Sequence, residues 1–292
     1  RQGIAAMMKI AENWKDYSII ATGDGYKLER WKDVVLLRPD PQVIWNARRD
    51  LSAYPGINAV YKRSDRGGGA WEYRKPMPEE WNVGYKDLVF KVKPMGFKHT
   101  GLFPEQAVNW DLMRSLIENA GRPVKVLNLF AYTGGATVAC AKSGAEVTHV
   151  DAAKGMVERA GENARLSGIQ KGIRYIVDDC KKFVQREIRR GNRYDAIVMD
   201  PPSYGRGPGG EMWKIEESLF PFVELCEKVL SDDPLFFLIN SYTTGLQPMV
   251  LHNILKLCLK GHKGQIDAYE VGIATEEGIP LPCGAGGIFV HG

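Results

Sequence analysis

Aspartates follow three apolar runs of the sequence, and together they suggest a site that binds a nucleoside. Asp151, the pair Asp178-Asp179, and Asp200 each come after a short stretch rich in Val, Ile or Leu, which is typical of a buried parallel strand. Ligands of open α/β sheets bind beyond the carboxyl ends of the strands. A carboxylate there can accept both hydroxyls of a ribose or the amino group of a base. We therefore expect these side chains at one edge of a sheet.

The segment that leads to Asp151 has the elements needed to position such a site. Val124–Phe130 predicts a buried strand, and Ala131–Gly135 predicts a turn because it ends in two adjacent glycines. Small residues after the turn favour a helix that lies close to the sheet, and Glu146–Asp151 predicts a second strand. The G-x-G-x-x-G pattern of dinucleotide sites is missing. The segment therefore predicts half of a nucleoside-binding α/β unit.

The alternation of strands and helices continues to the C-terminus. Val108, Leu112 and Leu116 predict the apolar face of one helix, and Met156–Leu166 predicts another that ends at Gly168. Further strands are predicted at Arg174–Val177, Tyr194–Met199, Leu235–Ile239, Ala268–Ala274 and Gly287–Val290. This order of elements indicates a doubly wound α/β sheet.

The N-terminal part predicts a small β-rich module. Tyr17–Ala21 and Val34–Leu37 read as strands, and Thr22–Gly25 predicts a turn between them. Alternation with period 2 from Leu88 onward predicts another strand with one wet face. Met7–Trp14 predicts a short helix before these strands.

Basic residues are concentrated in the N-terminal part of the chain. Residues 1–100 carry 18 Lys and Arg against 12 Asp and Glu, whereas residues 101–292 carry 21 against 23. Between Arg48 and Lys75 the cations are interleaved with Tyr54, Tyr61, Trp71 and Tyr73. Cations for phosphates and flat rings for bases would suit an unpaired RNA strand. A solvated basic surface, or a mobile polar loop between strands, is the alternative.

One group of motifs resembles a known family. The segment Asn128-Leu-Phe-Ala-Tyr-Thr-Gly-Gly135, followed by Asp151, Asp179 and Asp200-Pro-Pro-Ser203, resembles the class I S-adenosylmethionine (SAM) methyltransferases. More narrowly, it is similar to the branch of ribosomal RNA large-subunit methyltransferases of the 5-methylcytosine type. The resemblance covers roughly residues 96–292. It implies a seven-stranded Rossmann-like methyltransferase domain over residues 96–292, with a small β-rich accessory domain over residues 1–95.

The resemblance also implies a cofactor and the residues that contact it. SAM is the expected cofactor. An aspartate after the third strand would accept a hydrogen bond from the adenine amino group; the family pattern favours Asp179, and Asp178 is the alternative. The expected cofactor-binding residues are Phe103, Gln106, Asn128, Phe130, Ala131, Tyr132, Thr133, Gly134, Asp151, Asp178, Asp179 and Asp200.

Asp200, Pro201, Pro202 and Ser203 are the expected catalytic residues. Two prolines remove two N–H donors and stiffen the backbone, so carboxylate and carbonyl oxygens stand as acceptors for an amino group. In amino-methylating members of the superfamily an aromatic residue takes the place of Ser203. The loop that follows, residues 205–210, is expected to be mobile, with Arg206 available for a phosphate.

Cysteine usage departs from the resembled branch. Methylation of carbon 5 of cytosine needs a thiolate that adds to the ring, and those relatives carry a cysteine shortly after the fifth strand. This chain has none between Cys226 and Cys258. Cys283 is the only late cysteine in a loop-like setting. An exocyclic amine and carbon 5 both remain open as targets, and the amine is favoured.

Composition excludes several other classes. No apolar run approaches the roughly 20 residues that span a bilayer, so a membrane partner is not expected and a cytoplasmic location is the default. The five cysteines form no C-x-x-C pair and the histidines are scattered, so neither a metal site nor a disulfide framework is expected.

The motifs and the resemblance together predict a methyltransferase that acts on RNA, with ribosomal RNA as the expected substrate. A catalytically silent nucleoside- or RNA-binding module is one alternative, and a methyltransferase for a protein or small molecule is another.

Overall fold

The structure is a computed structural model that describes residues 8–207 and 209–292. The α-helices are α1 (Ala107–Glu118), α2 (Gly135–Lys142), α3 (Lys154–Leu166), α4 (Cys180–Arg190), α5 (Ile215–Glu227) and α6 (Pro248–Cys258). The first strands are β1 (Met8–Ala11), β2 (Tyr17–Gly23), β3 (Tyr26–Trp31), β4 (Val34–Pro39), β5 (Ala59–Arg63), β6 (Gly69–Tyr73), β7 (Trp81–Tyr85) and β8 (Leu88–Val92). The later strands are β9 (Lys125–Leu129), β10 (Glu146–Asp151), β11 (Ile173–Val177), β12 (Ala196–Met199), β13 (Tyr204–Arg206), β14 (Met212–Lys214), β15 (Phe236–Ser241), β16 (Gly264–Ile273) and β17 (Leu281–His291).

The chain divides into two compact units. The larger unit is built mainly from Val108–Val271 and Gly284–Gly292, and the smaller unit comprises Ile10–Ala107 and Gly272–Cys283. A late segment of the chain therefore belongs to the same compact unit as the N-terminal strands. The division expected between residues 95 and 96 stays a prediction.

The smaller unit is β-rich, as the sequence predicts. It contains a five-stranded sheet in the order β2-β3-β4-β5-β6 and a β7-β8 hairpin. β2, β3 and β4 are antiparallel neighbours, and β8 alternates buried and half-buried residues along its length. The sequence did not predict β3, which follows the Thr22–Gly25 turn and lies between the two predicted strands.

A buried ion pair lies inside the smaller unit. The Arg38 guanidinium donates to both carboxylate oxygens of Glu29, at 2.5 and 2.7 Å, and the Tyr17 hydroxyl donates to the same carboxylate. A third Arg38 donor bonds the carbonyl of Lys98 at 2.9 Å. The Arg38 charge and these hydrogen bonds lower the pKa of Glu29 although burial alone would raise it. Removal of either ionic partner would leave a buried charge uncompensated.

The central sheet has eight strands in the order β1-β16-β17-β15-β12-β9-β10-β11. β15, β12, β9, β10 and β11 are parallel neighbours, and β17 is antiparallel to β15. The sheet is therefore mixed, and it contains the seven strands expected of the methyltransferase fold plus β1 at one edge. Side chains of α4, α5 and α6 pack in one core cluster with those of β9, β12 and β15.

Two local predictions in this part are wrong. The expected helix at Met7–Trp14 is replaced by β1, because sheet pairing at Met8–Ala11 overrides the local pattern; Met7 itself lies outside the described residues. In α1 the buried face is formed by Trp110, Met113 and Ile117, while the predicted residues Val108, Leu112 and Leu116 are only half-buried. The bulky Trp110 takes the position against the core, and the other apolar residues flank it.

Hairpins occur at two places where loops were considered, within Arg48–Lys75, where a mobile loop was one alternative, and around residues 205–210, where a loop was expected. β5 and β6 form an antiparallel hairpin within Arg48–Lys75, so that stretch is not a plain loop. β13 and β14 form a second hairpin, in which Tyr204 pairs with Lys214 and Arg206 pairs with Met212. Pro208, at the centre of the second predicted loop, lies outside the described residues.

Candidate functional site

The turn between β9 and α2 has a strained backbone. Phe130 has a φ of 55° and Tyr132 a φ of 52°, in the left-handed region that residues with a Cβ rarely adopt. Gly134 follows with a φ of 86°. The Ala131 N–H donates to the Val150 carbonyl at 3.0 Å and so ties the turn to the neighbouring strand. Two such residues in one turn persist only where the surroundings fix them, and such strain is concentrated at ligand sites.

Asp151 holds this turn from the end of β10. One carboxylate oxygen accepts the Tyr132 N–H at 2.8 Å, and the other accepts the Ala153 N–H at 2.9 Å. The carboxylate is thus fixed in orientation at a half-buried position. Each oxygen has more than one lone pair and can accept a further hydrogen bond. This pair of oriented acceptors fits the two vicinal hydroxyls of a ribose.

A buried polar chain lies under the turn. Asn128 donates through its side-chain amide to the Thr137 hydroxyl at 2.9 Å, and that hydroxyl lies 2.8 Å from Nδ1 of His149. His149 is fully buried, and burial lowers its pKa to about 4, so the ring is neutral near pH 7. Asn128 is only 4% exposed, which places its side chain in a supporting role below the turn.

Helix α3 closes the turn from the other side. The Asn163 side-chain amide donates to the Thr133 carbonyl at 2.9 Å and is fully buried. A Cβ added at Gly134 would lie 2.9 Å from the Ala160 Cβ, so no side chain fits between the turn and this helix. Asn163 was not among the site residues predicted from the sequence. A polar residue on an otherwise apolar helix face was the signal for it.

Asp178 and Asp179 lie at the end of β11 and are both engaged with α4. Asp179 is the N-cap of the helix, and its carboxylate accepts the Lys182 N–H at 3.0 Å. Asp178 accepts the Asp179 N–H at 2.8 Å and pairs with Arg186 at 2.6 Å. The ion pair directs Asp178 toward the helix, whereas the Asp179 cap leaves acceptor capacity on its carboxylate. The adenine contact of either residue stays a prediction.

Three side-chain and backbone contacts fix the loop after β12. The Pro202 carbonyl accepts the indole N–H of Trp213 at 2.6 Å, and the Ser203 carbonyl accepts the Ile215 N–H at 3.1 Å. The Ser203 hydroxyl lies 2.6 Å from the Thr243 hydroxyl, which follows β15. Asp200 is half-buried, whereas Pro202 and Ser203 are exposed. The loop therefore presents a fixed backbone to solvent at the carboxyl end of β12.

Trp213 joins this loop to the β9–α2 turn. Its ring lies 5.1 Å from the Phe130 ring and 5.6 Å from the Phe222 ring, measured between centroids, and the two phenylalanines are 5.6 Å apart. The Phe130 side chain thus packs in an aromatic cluster with the hairpin and α5. Neither Trp213 nor Thr243 was singled out in the sequence, because only tertiary structure brings them to Pro202 and Ser203.

The remaining candidates lie in the smaller unit. Phe103 is half-buried, is the N-cap of a short 3₁₀ helix at Pro104–Gln106, and packs edge-on to His99 with ring centroids 6.2 Å apart. Gln106 is half-buried at the end of that helix. The expected contacts of Phe103 and Gln106 with the cofactor stay predictions.

Cys283 is a poor nucleophile. It is partly buried, and its thiol faces the Leu281 carbonyl at 3.5 Å. Burial raises the pKa of this thiol well above its usual value. Because the thiolate is the nucleophilic form, attack on a pyrimidine ring by Cys283 is unfavourable near neutral pH.

The described part of the chain holds neither a metal-binding cluster nor a helix able to span a membrane. Over residues 8–207 and 209–292 there is no cluster of three or more His, Cys, Asp or Glu side chains with the placement to hold a metal ion. Among the same residues, none of the helices has the length and apolar character that crossing a bilayer requires.

The fold and the site define the class of protein. A mixed sheet in this strand order, with a fixed carboxylate after β10 and a Pro-Pro loop after β12, is the architecture of a SAM methyltransferase. The family model described as S-adenosylmethionine-dependent methyltransferase matches residues 42–215. The chain belongs to this family, whose cofactor is SAM.

Particular relatives agree with the family assignment. The crystal structure of the SAM-dependent methyltransferase from Agrobacterium tumefaciens is 33% identical, with a TM-score of 0.91 over 97% of this chain and 93% of that one. Ribosomal RNA large subunit methyltransferase K/L of Shewanella frigidimarina is 31% identical over 57% of this chain and 24% of its own length. Ribosomal RNA large subunit methyltransferase K of Neisseria meningitidis serogroup B is 26% identical over 80% of this chain and 66% of its own length. The chain thus spans less than two thirds of these two relatives, and the resemblance to ribosomal RNA large-subunit methyltransferases is confirmed.

Proposed function

We propose that the protein transfers a methyl group from SAM to an RNA base, with ribosomal RNA as the substrate. The observation that carries the proposal is the fixed loop at Asp200–Ser203 beside the turn that Asp151 holds. β12 and β9 are parallel neighbours, so the loop and the turn follow adjacent strands at the same edge of the sheet. The substrate class is taken from the names of the Shewanella and Neisseria relatives.

The turn and its neighbours are the proposed cofactor half of the site. Asp151 would accept the ribose hydroxyls, and Asp179, with Asp178 as the alternative, would accept the adenine amino group. We assign the backbone of the turn to the same ligand, through Phe130, Ala131, Tyr132, Thr133 and Gly134. The cofactor contacts of Phe103 and Gln106 stay predictions from the sequence. Asn128 is assigned an indirect role, because its side chain donates to the Thr137 hydroxyl and supports the turn from below. When bound, SAM supplies a methyl group on a positively charged sulfur.

The loop after β12 is the proposed target half of the site. We assign the orientation of a target amine to the Asp200 carboxylate and the Pro201 carbonyl, beside the Pro202 carbonyl that accepts the Trp213 N–H. Two N–H groups held by these oxygens would turn the nitrogen lone pair toward the methyl donor. Positioning of this kind, with Asp200 as the proton acceptor, can supply much of the rate acceleration without a covalent intermediate.

We favour an exocyclic amine over carbon 5 of cytosine as the target. Carbon 5 chemistry needs a cysteine thiolate, and burial keeps the Cys283 thiol protonated. Cys140, Cys180 and Cys226 are buried, and burial raises the pKa of each. Cys258, partly buried on α6, has its pKa raised to about 11.

We also propose that the smaller unit contributes RNA affinity, mainly through charge. Of the four aromatic residues in the basic stretch, Tyr61 is buried and Trp71 is half-buried with its indole N–H bonded to the Met95 carbonyl at 2.8 Å. Tyr73 is 59% exposed and is the one best able to stack on a base.

The double variant Arg63→Ala with Arg66→Ala tests this contribution. The slope of log K for RNA binding against log[salt] should flatten by about 0.7 for each phosphate contact that is lost. A zero salt slope in filter binding would remove this role.

Transfer of labelled methyl groups tests the proposed activity. The protein is incubated with SAM carrying a labelled methyl group and protein-free total RNA, and the product is divided between ribonuclease and protease treatment. We expect the label to resist protease and to be lost on ribonuclease digestion. Nucleoside mass analysis of the labelled RNA then identifies the methylated atom. Asp200→Ala serves as the control for background incorporation.

Other outcomes would separate the alternative functions. Label on protein or on a small molecule would move the activity to another substrate class. Tight binding of SAM without any transfer, to RNA or to cell extract, would favour a catalytically silent nucleoside-binding module.

A further inference from the structure

A strongly basic segment lies in the larger unit. Residues 171–193 carry eight Lys and Arg against three Asp and Glu, whereas residues 101–292 carry 21 against 23. The segment contains β11 at the edge of the sheet and the whole of α4. Its positive charge is therefore a local feature of an otherwise balanced unit.

Four of the five cations of α4 are exposed, and the fifth, Arg186, pairs with Asp178. Phe183, Val184 and Glu187 are on the buried face of the helix, while its exposed face carries basic side chains. We call this face, formed by Lys181, Lys182, Arg189 and Arg190, the α4 surface. Lys182 pairs with Glu211 at 2.9 Å and Arg190 is 4.0 Å from Glu187, whereas Lys181 and Arg189 have no ion pair within the described residues.

Helix electrostatics explains only half of this charge. Arg189 and Arg190 lie in the last turn, where cations complement the negative end of the helix dipole. Lys181 and Lys182 lie in the first turn, where the dipole disfavours a positive charge, and the Glu211 ion pair offsets this cost for Lys182. Cations at both ends of one short helix therefore suggest attraction to an external polyanion.

A cavity lies at the opposite edge of the sheet from Asp151. It has a volume of about 400 Å³, and its charged lining residues are three cations, Lys125, Arg174 and Arg193, and one carboxylate, Glu146. Arg174 also lies 3.6 Å from Glu187 of α4. Asn192, two residues after the end of α4, lines the same cavity. The volume lies within the roughly 300–1,000 Å³ of small-ligand pockets and is ample for a phosphate group.

Helix α4 connects the two edges of the sheet. It begins directly after Asp179, at the carboxyl end of β11, and ends two residues before the cavity. Eleven helical residues extend about 16 Å. The α4 surface thus places two cations near the candidate site and two near the cavity.

We propose that the α4 surface binds the phosphate backbone of the RNA substrate, and that the cavity holds one phosphate of the same strand. This inference rests on the proposed RNA substrate and adds to it the surface on which the strand lies. Flexible lysine and arginine side chains bind phosphates without reading sequence, so they orient the strand while the loop at Asp200 selects the base.

Filter binding of the full chain to protein-free RNA across a salt series tests this surface. The variant carries Lys125→Ala, Lys181→Ala and Arg189→Ala, three side chains that form no ion pair in the described chain. We expect the slope of log K against log[salt] to flatten by about 2, since each single-strand phosphate contact contributes about 0.7. SAM affinity, measured by calorimetry, should be unchanged.

A matched control removes the same charge elsewhere in the larger unit. Lys228, Lys256 and Lys260 are exposed at the ends of α5 and α6, and their triple alanine variant should keep the wild-type slope. If both triple variants behave alike while the wild type still methylates RNA, the α4 surface is excluded and the proposed function stands. If the wild type binds no RNA, or methylates protein instead, both proposals fail together.

Discussion

The two halves of the candidate site are held in different ways. The β9–α2 turn is fixed by main-chain hydrogen bonds, by the Asp151 carboxylate and by buried amides from Asn128 and Asn163. The loop at Asp200–Ser203 is fixed by two half-buried side chains, those of Trp213 in the hairpin and Thr243 after β15. One half is anchored mainly by buried residues and the other by residues that are partly open to solvent.

This difference suggests a division of labour. A ligand that is common to a whole family has a constant shape. It can therefore be bound by a turn that is fixed by the core. A loop held by a surface hairpin can be adjusted to a particular target without a change in the core. Substitutions in the first half should therefore alter cofactor binding, whereas those in the second should alter turnover and leave the cofactor bound.

The largest effect is expected at Asp151. Asp151→Ala removes two ribose hydrogen bonds and should cost about 2–4 kcal/mol, or roughly 30- to 1000-fold in affinity for SAM and its demethylated product. Calorimetry measures this, with thermal unfolding to confirm the fold. Because the Tyr132 and Ala153 N–H groups also lose their acceptor, Asp151→Asn serves as the more conservative variant. Unchanged binding in a folded protein would remove Asp151 from the cofactor half.

The second prediction separates the two halves. Asp200→Ala should lower turnover by about 100-fold or more, as the loss of a positioning or proton-accepting group usually does, while SAM affinity stays near normal. Initial rates of methyl transfer to RNA and calorimetry together give both quantities. Asp233→Ala, at a carboxylate 75% exposed, is the control. A parallel loss of cofactor affinity would mean that Asp200 belongs to the turn rather than to the target half.

A smaller effect is expected at Trp213. Trp213→Phe keeps a ring against Phe130 and Phe222 but removes the N–H bonded to Pro202. Loss of one hydrogen bond of about 0.5–1.5 kcal/mol should lower kcat by roughly 2- to 13-fold. SAM affinity should not change. Trp81→Phe, which removes an indole hydrogen bond to the Trp31 carbonyl at 3.0 Å, is the matched control. Equal effects of the two variants would reduce Trp213 to a packing residue.

The same difference explains what the sequence could predict. The strands around the turn, the small-residue helix and Asp151 follow one another within 28 residues, so local patterns were sufficient to find them. Trp213 and Thr243 act on Pro202 and Ser203 through contacts that only the folded chain creates. The prediction of a helix at Met7–Trp14 was wrong for the same reason, because pairing with the neighbouring strand β16 fixes β1 in an extended conformation. The sequence did not predict the strands β13 and β14, because the glycines between them are typical of a loop.

The smallest effect is expected at Cys283, and it tests whether the target half needs a covalent step. RNA that contains 5-fluorocytosine should form no denaturation-resistant adduct with the protein, because the raised pKa keeps the thiol protonated. Cys283→Ala should leave turnover on RNA unchanged, which initial-rate measurements can verify beside Asp200→Ala. The opposite result, an adduct that disappears in Cys283→Ala, would show that the target half works through a nucleophile outside the Asp200 loop. The favoured target would then be carbon 5 of cytosine, and the role of Asp200 would change from orienting an amine to orienting a ring.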